Sequence, residues 1–363
     1  MMTKNKEITV PEIGQDQLEL LEKLCNATAV SGDEGEVRQI VLEAIKPLVD
    51  EVKVDALGNV LATKRGHGEN RVRVMLAAHM DEIGFMIVDD KDNLFQFERV
   101  GGIDERQLPG KAVLVGSEHL PGVIGAKPIH LTTTKERKSK VELSSMRIDL
   151  GPGIGDKVKP GDRATFATRF KLLGPSIRAK ALDDRFGVAT LIELLKYPPD
   201  NVDLLAAFTV QEEVGLRGAR VAAYHIDPDM AIAIDSTPAY DLPHWEEDFG
   251  NDHYNTKLDA GPAIYVMDRA TIADRRLVTL LEEAAQEKGI PYQLRQPGGG
   301  GTDAGAIHKV RSGIPSISVS VPGRYAHTAA SIARVSDWEN TLKLLHAALI
   351  KVTPDFLKGE RRG

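Results

Sequence analysis

Along this chain apolar β-runs alternate with helical periodicities, except between Ile83 and Phe170, where no helical period appears at all. That interruption constrains the fold more than any other feature. Before it, Leu18, Leu21, Leu24 and Cys25 recur at helix spacing, as do Val37, Ile40, Val41, Ala44, Ile45 and Leu48. Ser31-Gly32-Asp33 separates these two helices and offers caps to the second, with Glu36 three places after Asp33. Val52–Asp55, Asn59–Thr63 and Val72–Ala78 read as strands. After the interruption come a helix over Asp183–Leu195, strands at Leu204–Val210 and Met230–Ile234, a helix over Leu277–Lys288 and a strand at Ser316–Val321. The spacing predicts a last helix from Asp337 to about Ile350, opened by Ser336 with Glu339 in a capping box.

Alternating β and α implies a mostly parallel sheet with helices on both faces. Inside the interruption, short alternating segments (Leu94–Phe97, Ala112–Val115, Val123–Ala126, Arg163–Phe166) sit between Gly, Pro and Asp turns, which is how a small antiparallel β-unit reads. The expectation is therefore an α/β domain that is discontinuous, residues 1–82 and 171–363, with residues 83–170 inserted as a β domain.

Composition removes several classes of function. The chain has 363 residues, 46 basic against 53 acidic, net −7, with no basic surface of the kind that nucleic-acid binding needs. No apolar stretch approaches the roughly 18 residues of a membrane span. Cys25 is the only cysteine, so neither an intrachain disulfide nor a cysteine-ligated metal is available. Met1–Pro11 is polar and lacks the apolar core of a signal peptide, which makes the cytoplasm the expected location. Gly299-x-Gly301-x-x-Ala304 matches a loose dinucleotide fingerprint, but no acidic residue follows before Asp337 to hold a ribose. Pro297–Asp303 reads instead as a flexible rim of an active site.

Four apolar strands run into residues that can ligate a metal. Val74–Ala78 leads to His79-Met80-Asp81-Glu82, Ala206–Gln211 to Glu212-Glu213, Ala231–Ile234 to Asp235, and Ile317–Val321 to His327 six residues on. Ligands of open α/β sheets bind beyond the carboxyl ends of the strands, so these residues converge although they are far apart in the chain. Each has a bland alternative: a loop histidine, a solvated acidic pair, or, for Asp183-Asp184, a helix N-cap. Together they offer imidazoles and carboxylates suited to Zn, Co or Mn. His79 and Asp81 lie two apart on an extended chain and face one side, so Asp81 can hold the imidazole by its second nitrogen. Glu212 and Glu213 are adjacent and diverge, leaving one free to ligate and the other to act as a base.

His79–Gly84, Ala181–Gly187, Gln211–Gly215, Asp235–Pro238, Gly301–Gly305 and Arg324–Thr328 occur in that order, and the set resembles the tetrahedral (TET) metalloaminopeptidases, metallopeptidase family forty-two. The likeness covers nearly the whole chain, including Ile148–Gly151 and Gly155–Val158 of the insertion. It implies a zinc-peptidase-like fold and a two-metal site, with Zn first and Co or Mn as alternatives. Asp183 would bridge both metals, His79 and Asp235 would complete one site, and Glu213 and His327 the other. Glu212 would be the general base acting on a metal-bridging water, and Asp81 would orient His79. Related metallopeptidases hold a cis peptide just after the bridging aspartate, which places one at Asp183-Asp184. The insertion looks like the family's dimerisation domain, whose dimers build hollow dodecamers that admit only short or unfolded peptides. Two departures are visible: Lys180, where many relatives have Asn or another small polar residue, and Thr328, where Ser is common. Neither is a ligand, so they bear on fine substrate contacts.

The reading is a cytoplasmic dinuclear aminopeptidase acting on short peptides, a homo-oligomer with no nucleic-acid or membrane partner. A related carboxypeptidase or N-deacylase is the nearest rival. A glycosidase, as the old endoglucanase label of some relatives suggests, is more distant, because adjacent Glu212 and Glu213 cannot flank a sugar bond. The sequence does not define the specificity pocket.

Overall fold

The computed structural model describes residues 11–91, 93–243 and 255–358. The N-terminal stretch 1–10, on which the expected location rests, lies outside the described residues. The strands are β1 (Glu51–Val54), β2 (Val60–Lys64), β3 (Val72–His79), β4 (Gly84–Lys91), β5 (Leu94–Val100), β6 (Ala112–Val115), β7 (Leu120–Gly125), β8 (Arg147–Asp149), β9 (Arg163–Phe166), β10 (Lys171–Leu173), β11 (Ser176–Ala179), β12 (Val202–Thr209), β13 (Met230–Pro238), β14 (Ala263–Tyr265), β15 (Gln293–Arg295), β16 (Ser316–Arg324) and β17 (Ser331–Arg334). The α-helices are α1 (Gln15–Asn26), α2 (Gly35–Ile45), α3 (Leu182–Leu194), α4 (Arg217–Ile226), α5 (Arg275–Lys288), α6 (Ala304–Ile307) and α7 (Val335–Lys351).

Eleven strands form one sheet, in the order β1-β2-β12-β3-β13-β16-β17-β11-β10 with β14 and β15 attached beside β16. Its centre, β12-β3-β13-β16, is parallel, and the flanks are antiparallel. The period-two rule of a strand explains why helices cover both faces. Along β3, Val74, Leu76 and Ala78 join the larger core with α1, α2, α3, α5 and α7. Met75 and Ala77 point the other way and join a smaller core under α4 and α6. A strand buried on both faces needs an unbroken apolar run, which is what Val74–Ala78 provides.

The insertion is a closed barrel, β4-β5-β8-β7-β6-β9. It has a core of its own around Phe85, whose ring meets Phe97 and Phe166 edge-on at centroid distances of 5.1 and 5.3 Å. Closure satisfies the backbone edges that an open sheet of this size would expose. Among the described residues no helix is long and apolar enough to cross a membrane.

Both anticipated capping boxes fail to form. The N-cap of α2 is Glu34, with no side-chain cap, because Glu36 turns away to accept from the Thr28 amide and hydroxyl at 2.9 Å each. Helix α7 begins at Val335 after Arg334, so Ser336 already lies inside it. Helix α4 was not expected from the sequence; its buried stripe of Gly218, Ala219, Ala222, Ala223 and Ile226 is made of side chains too small to announce a period.

Candidate metal centre

The parallel strands end on one side of the sheet, and the chemistry is assembled there. His79 is the last residue of β3, Glu212 and Glu213 follow β12, Asp235 lies in β13, Asp183 enters α3, and His327 follows β16. All the metal-grade residues expected from the sequence come together, in three overlapping groups. His79, Asp183 and Asp235 each offer a ligand atom within 4.8 Å of the others, as do Asp183, Glu213 and His327, and also His79, Glu212 and Glu213.

Asp183 is common to the first two groups and uses a different oxygen toward each imidazole. Its Oδ1 is 3.2 Å from His79 Nε2, and its Oδ2 is 3.5 Å from His327 Nε2. Around His327, Glu213 Oε2 stands at 3.5 Å; around His79, Asp235 Oδ1 stands at 3.9 Å. Glu212 points elsewhere than Glu213, with Oε2 at 4.0 Å from His79 Nε2. The peptide between Asp183 and Asp184 is cis. The helix-capping alternative for this acidic pair applies to Asp184, whose Oδ1 accepts from the Gly187 amide at 2.9 Å while Oδ2 faces the His79 amide at 3.3 Å.

Asp81 has a broader part than the spacing suggests. His79 Nδ1 lies 3.1 Å from the main-chain oxygen of Asp81 and 3.6 Å from its carboxylate. That carboxylate instead accepts from the amides of Glu212 at 3.0 Å and Glu213 at 3.2 Å, and from the Ser31 hydroxyl at 2.6 Å. One buried group thus fixes both glutamates from behind. The sequence suggests only a cap for Ser31; the structure sets its hydroxyl behind Asp81. Asp303, at the end of the Gly-rich stretch, is also buried; it accepts from Thr209 by one oxygen, and its other oxygen has no partner among the described residues.

Lys180 departs from its expected place at the substrate. It is buried, with its ammonium 2.7 and 2.8 Å from the two oxygens of Glu82 and 2.7 Å from the Ala27 carbonyl. Thr328 stays local, bonding to the Tyr325 and Ala330 carbonyls.

The electrostatics of the centre follow from burial. Desolvation pushes the carboxyls of Asp235 and Glu212 well above the ordinary range, neighbouring carboxylates adding to the effect, and raises Glu213 to about 7. Burial raises Asp303 to about 6. Burial also works to raise Asp183, but hydrogen bonds to His327 and His79 outweigh it and hold this carboxyl below its usual range. Burial opposes a charge on His327, yet Asp183 and Glu213 lift the ring to about 10. Burial opposes it on His79 too, and hydrogen bonds to Asp183 and Asp81 raise that ring above its ordinary value. Carboxylates in excess of imidazoles, packed in low dielectric, favour positive charge between them. A divalent cation fits that donor set of imidazole nitrogen and carboxylate oxygen.

The mixed α/β sheet carries a candidate metal centre beyond its parallel strand ends, and comparison with known proteins gives the class and the family. A family model described as M42 glutamyl aminopeptidase matches residues 58–344. A putative aminopeptidase of Acetivibrio thermocellus is 41% identical over 343 residues, 92% of this chain and 99% of that one. The lysyl aminopeptidase of Pyrococcus furiosus is 33% identical, over 93% of this chain and 98% of that one. A solved structure of the Pyrococcus horikoshii TET1 peptidase, described as able to assemble into a tetrahedron or a large octahedral shell, superposes with a TM-score of 0.79 at 35% identity, covering 93% of this chain and all of that one. The chain belongs to the M42 glutamyl aminopeptidase family, and it is a peptide hydrolase.

Proposed function

We propose that the protein is a dinuclear-metal aminopeptidase that releases N-terminal residues from short peptides, with Glu212 as its general base. The observation that carries this reading is the Asp183 carboxylate, whose two oxygens face two imidazoles, each with a further carboxylate beside it. His79, Asp183 and Asp235 would hold one divalent cation, and Asp183, Glu213 and His327 the other. Such cations supply the positive charge that makes a water acidic and polarises a peptide carbonyl.

The chain's own residues then divide the remaining work. Glu212 sits where it can take a proton from the attacking water, and it can return that proton to the leaving amine. Burial gives this carboxylate a high proton affinity, which suits a group that must hold a proton between the two steps. Asp81 keeps the backbone of Glu212 and Glu213 in place through their amides, which sets where the two side chains start from. Ser31 in turn holds Asp81. The native metal is proposed as Zn, with Co or Mn able to take the same ligands. The barrel is proposed as the dimerisation domain of a homo-oligomer, a tetrahedral dodecamer in its full form. The same reading places the enzyme in the cytoplasm.

Two neighbouring variants test the division of labour. Glu212→Gln retains the fold and both cations while turnover falls about 10²–10⁴-fold, because the amide cannot accept the water's proton. Glu213→Gln weakens cation binding instead, and excess metal restores part of its activity. Turnover of an aminoacyl chromogenic substrate, measured with metal content on the same samples, reads both. A Glu212→Gln enzyme with near-normal turnover, or one rescued by added metal, overturns the assignment.

A further inference from the structure

All the metal-grade residues lie in the discontinuous α/β domain, yet the inserted barrel reaches into the centre with its backbone. The turn after β5 carries Gly101 and Gly102. The Gly102 carbonyl accepts from His327 Nδ1 at 2.8 Å. That bond holds a proton on Nδ1, so Nε2, which faces Asp183 and Glu213, is the nitrogen left to ligate a cation once its own proton is displaced. Space at this turn is closed as well. A Cβ on Gly102 would lie 3.2 Å from His327 Nδ1, and one on Gly101 would lie 2.7 Å from the Ile83 side chain and 3.3 Å from Glu213 Oε2. Gly101 also has φ +87°, a region that side-chain-bearing residues rarely adopt.

The turn is held from the barrel side. Arg99 donates to the Ile103 carbonyl at 2.7 Å across it, and Ile103 is buried in the barrel core. Among the described residues nothing comparable from the barrel reaches His79, whose Nδ1 is served by Asp81 of the α/β domain. The two halves of the centre therefore have different supports.

We propose that the Gly101–Gly102 turn of the barrel positions His327 and Glu213, and thereby sets the affinity of one of the two cation sites without setting the other. This inference rests on the two-cation reading above. It makes the barrel a working part of the centre as well as a surface for assembly, and it assigns Gly102 as a positioning residue that acts through a carbonyl rather than a side chain.

The test is titration of metal-stripped full-length protein with Co(II), following visible absorption and heat. The wild-type chain takes two cations in separable steps. Gly102→Ala, whose backbone φ places no strain on alanine, weakens one step about 10–100-fold, the range for loss of a hydrogen-bonding partner behind a metal-bound histidine, and leaves the other unchanged. The weakened step is the one that His327→Ala removes. Gly125→Ala, a barrel glycine whose added Cβ would only meet the Arg147 carbonyl at an ordinary 3.7 Å, leaves both steps unchanged. Arg99→Met loosens the turn without touching the cation ligands and weakens the same step by less, so the test stands even if Gly102→Ala fails to fold. Two wild-type steps that survive unaltered in the folded variants, or that weaken equally, overturn the inference while sparing the two-cation reading. Fewer than two cations on the wild-type chain overturn both.

Discussion

Two groups of buried charge lie side by side at the end of β3, joined by the consecutive residues Asp81 and Glu82 and again by Asp184 and Arg185. In one, Glu82 is met by Lys180 at 2.7 Å and Arg185 at 3.3 Å, and it also accepts from the Ala29 amide and the Thr165 hydroxyl. In the other, among the described residues His79 and His327 are the basic side chains that meet Asp81, Asp183, Glu212, Glu213 and Asp235, with Asp184 beside them. The first group carries its own counter-charges; the second does not. Burial opposes the Glu82 charge, but Lys180 and Arg185 outweigh it and hold that carboxyl below its usual value. In the second group burial prevails, and four carboxyls (Asp184, Glu212, Glu213, Asp235) are pushed up. Sequence neighbours thus serve opposite ends: one cluster braces Ala27, Ala29 and the barrel strand β9 against the sheet, and the other leaves buried carboxylates that a cation from outside would compensate.

The largest effect is expected where the compensated group is broken. Lys180→Met leaves the Glu82 charge buried with one cation fewer, and loss of one partner from a buried ion pair costs about 3–5 kcal/mol. Thermal unfolding should show this equally with and without added metal. A loss that metal abolishes would mean that the two groups are one.

A smaller and opposite behaviour is expected of the uncompensated group when it is stripped of cations. Glu213 has a folded-state pKa of about 7 against an ordinary 4.5, so the folded protein binds more protons, and stability falls as pH rises through that interval. His327, lifted from 6.5 to about 10, contributes stability that is full below 6.5 and lost as pH rises through 10. Both slopes have the same sign. Asp183 acts the other way, since its depressed carboxyl contributes above 3.8 and is lost only on further acidification, below this window. Chelated protein should therefore melt at progressively lower temperature from about pH 5 to pH 10, and cation-loaded protein should lose that trend. Identical pH profiles with and without chelator would remove the contrast between the two groups.

Much of the cation-seeking group was legible in the sequence because it is carried by side chains with unmistakable chemistry at the ends of apolar runs. His79, Glu213, Asp235 and His327 could be placed together from strand ends alone, and the alternation of strands and helices along the chain announced a sheet covered on both faces. The compensated group was hidden for a physical reason. Lys180, Glu82 and Arg185 look like surface charges in one dimension, and only their mutual approach allows them to be buried. Ser31 was read as a cap because a hydroxyl beside glycine suits a turn, and nothing local shows that Asp81 lies across from it. The Gly102 carbonyl has no side-chain signature at all. Helix α4 escaped because its buried face is alanine and glycine apart from Ile226, and the cap of α2 differs because Glu36 found a partner in Thr28 rather than in its own helix.

The central claim is that one carboxylate, Asp183, serves two cations, and metal content tests it most directly. Elemental analysis of purified wild-type protein should give two divalent cations per chain; His79→Ala should retain about one, and Asp183→Ala should hold neither stably. Two cations per chain in Asp183→Ala would contradict the account.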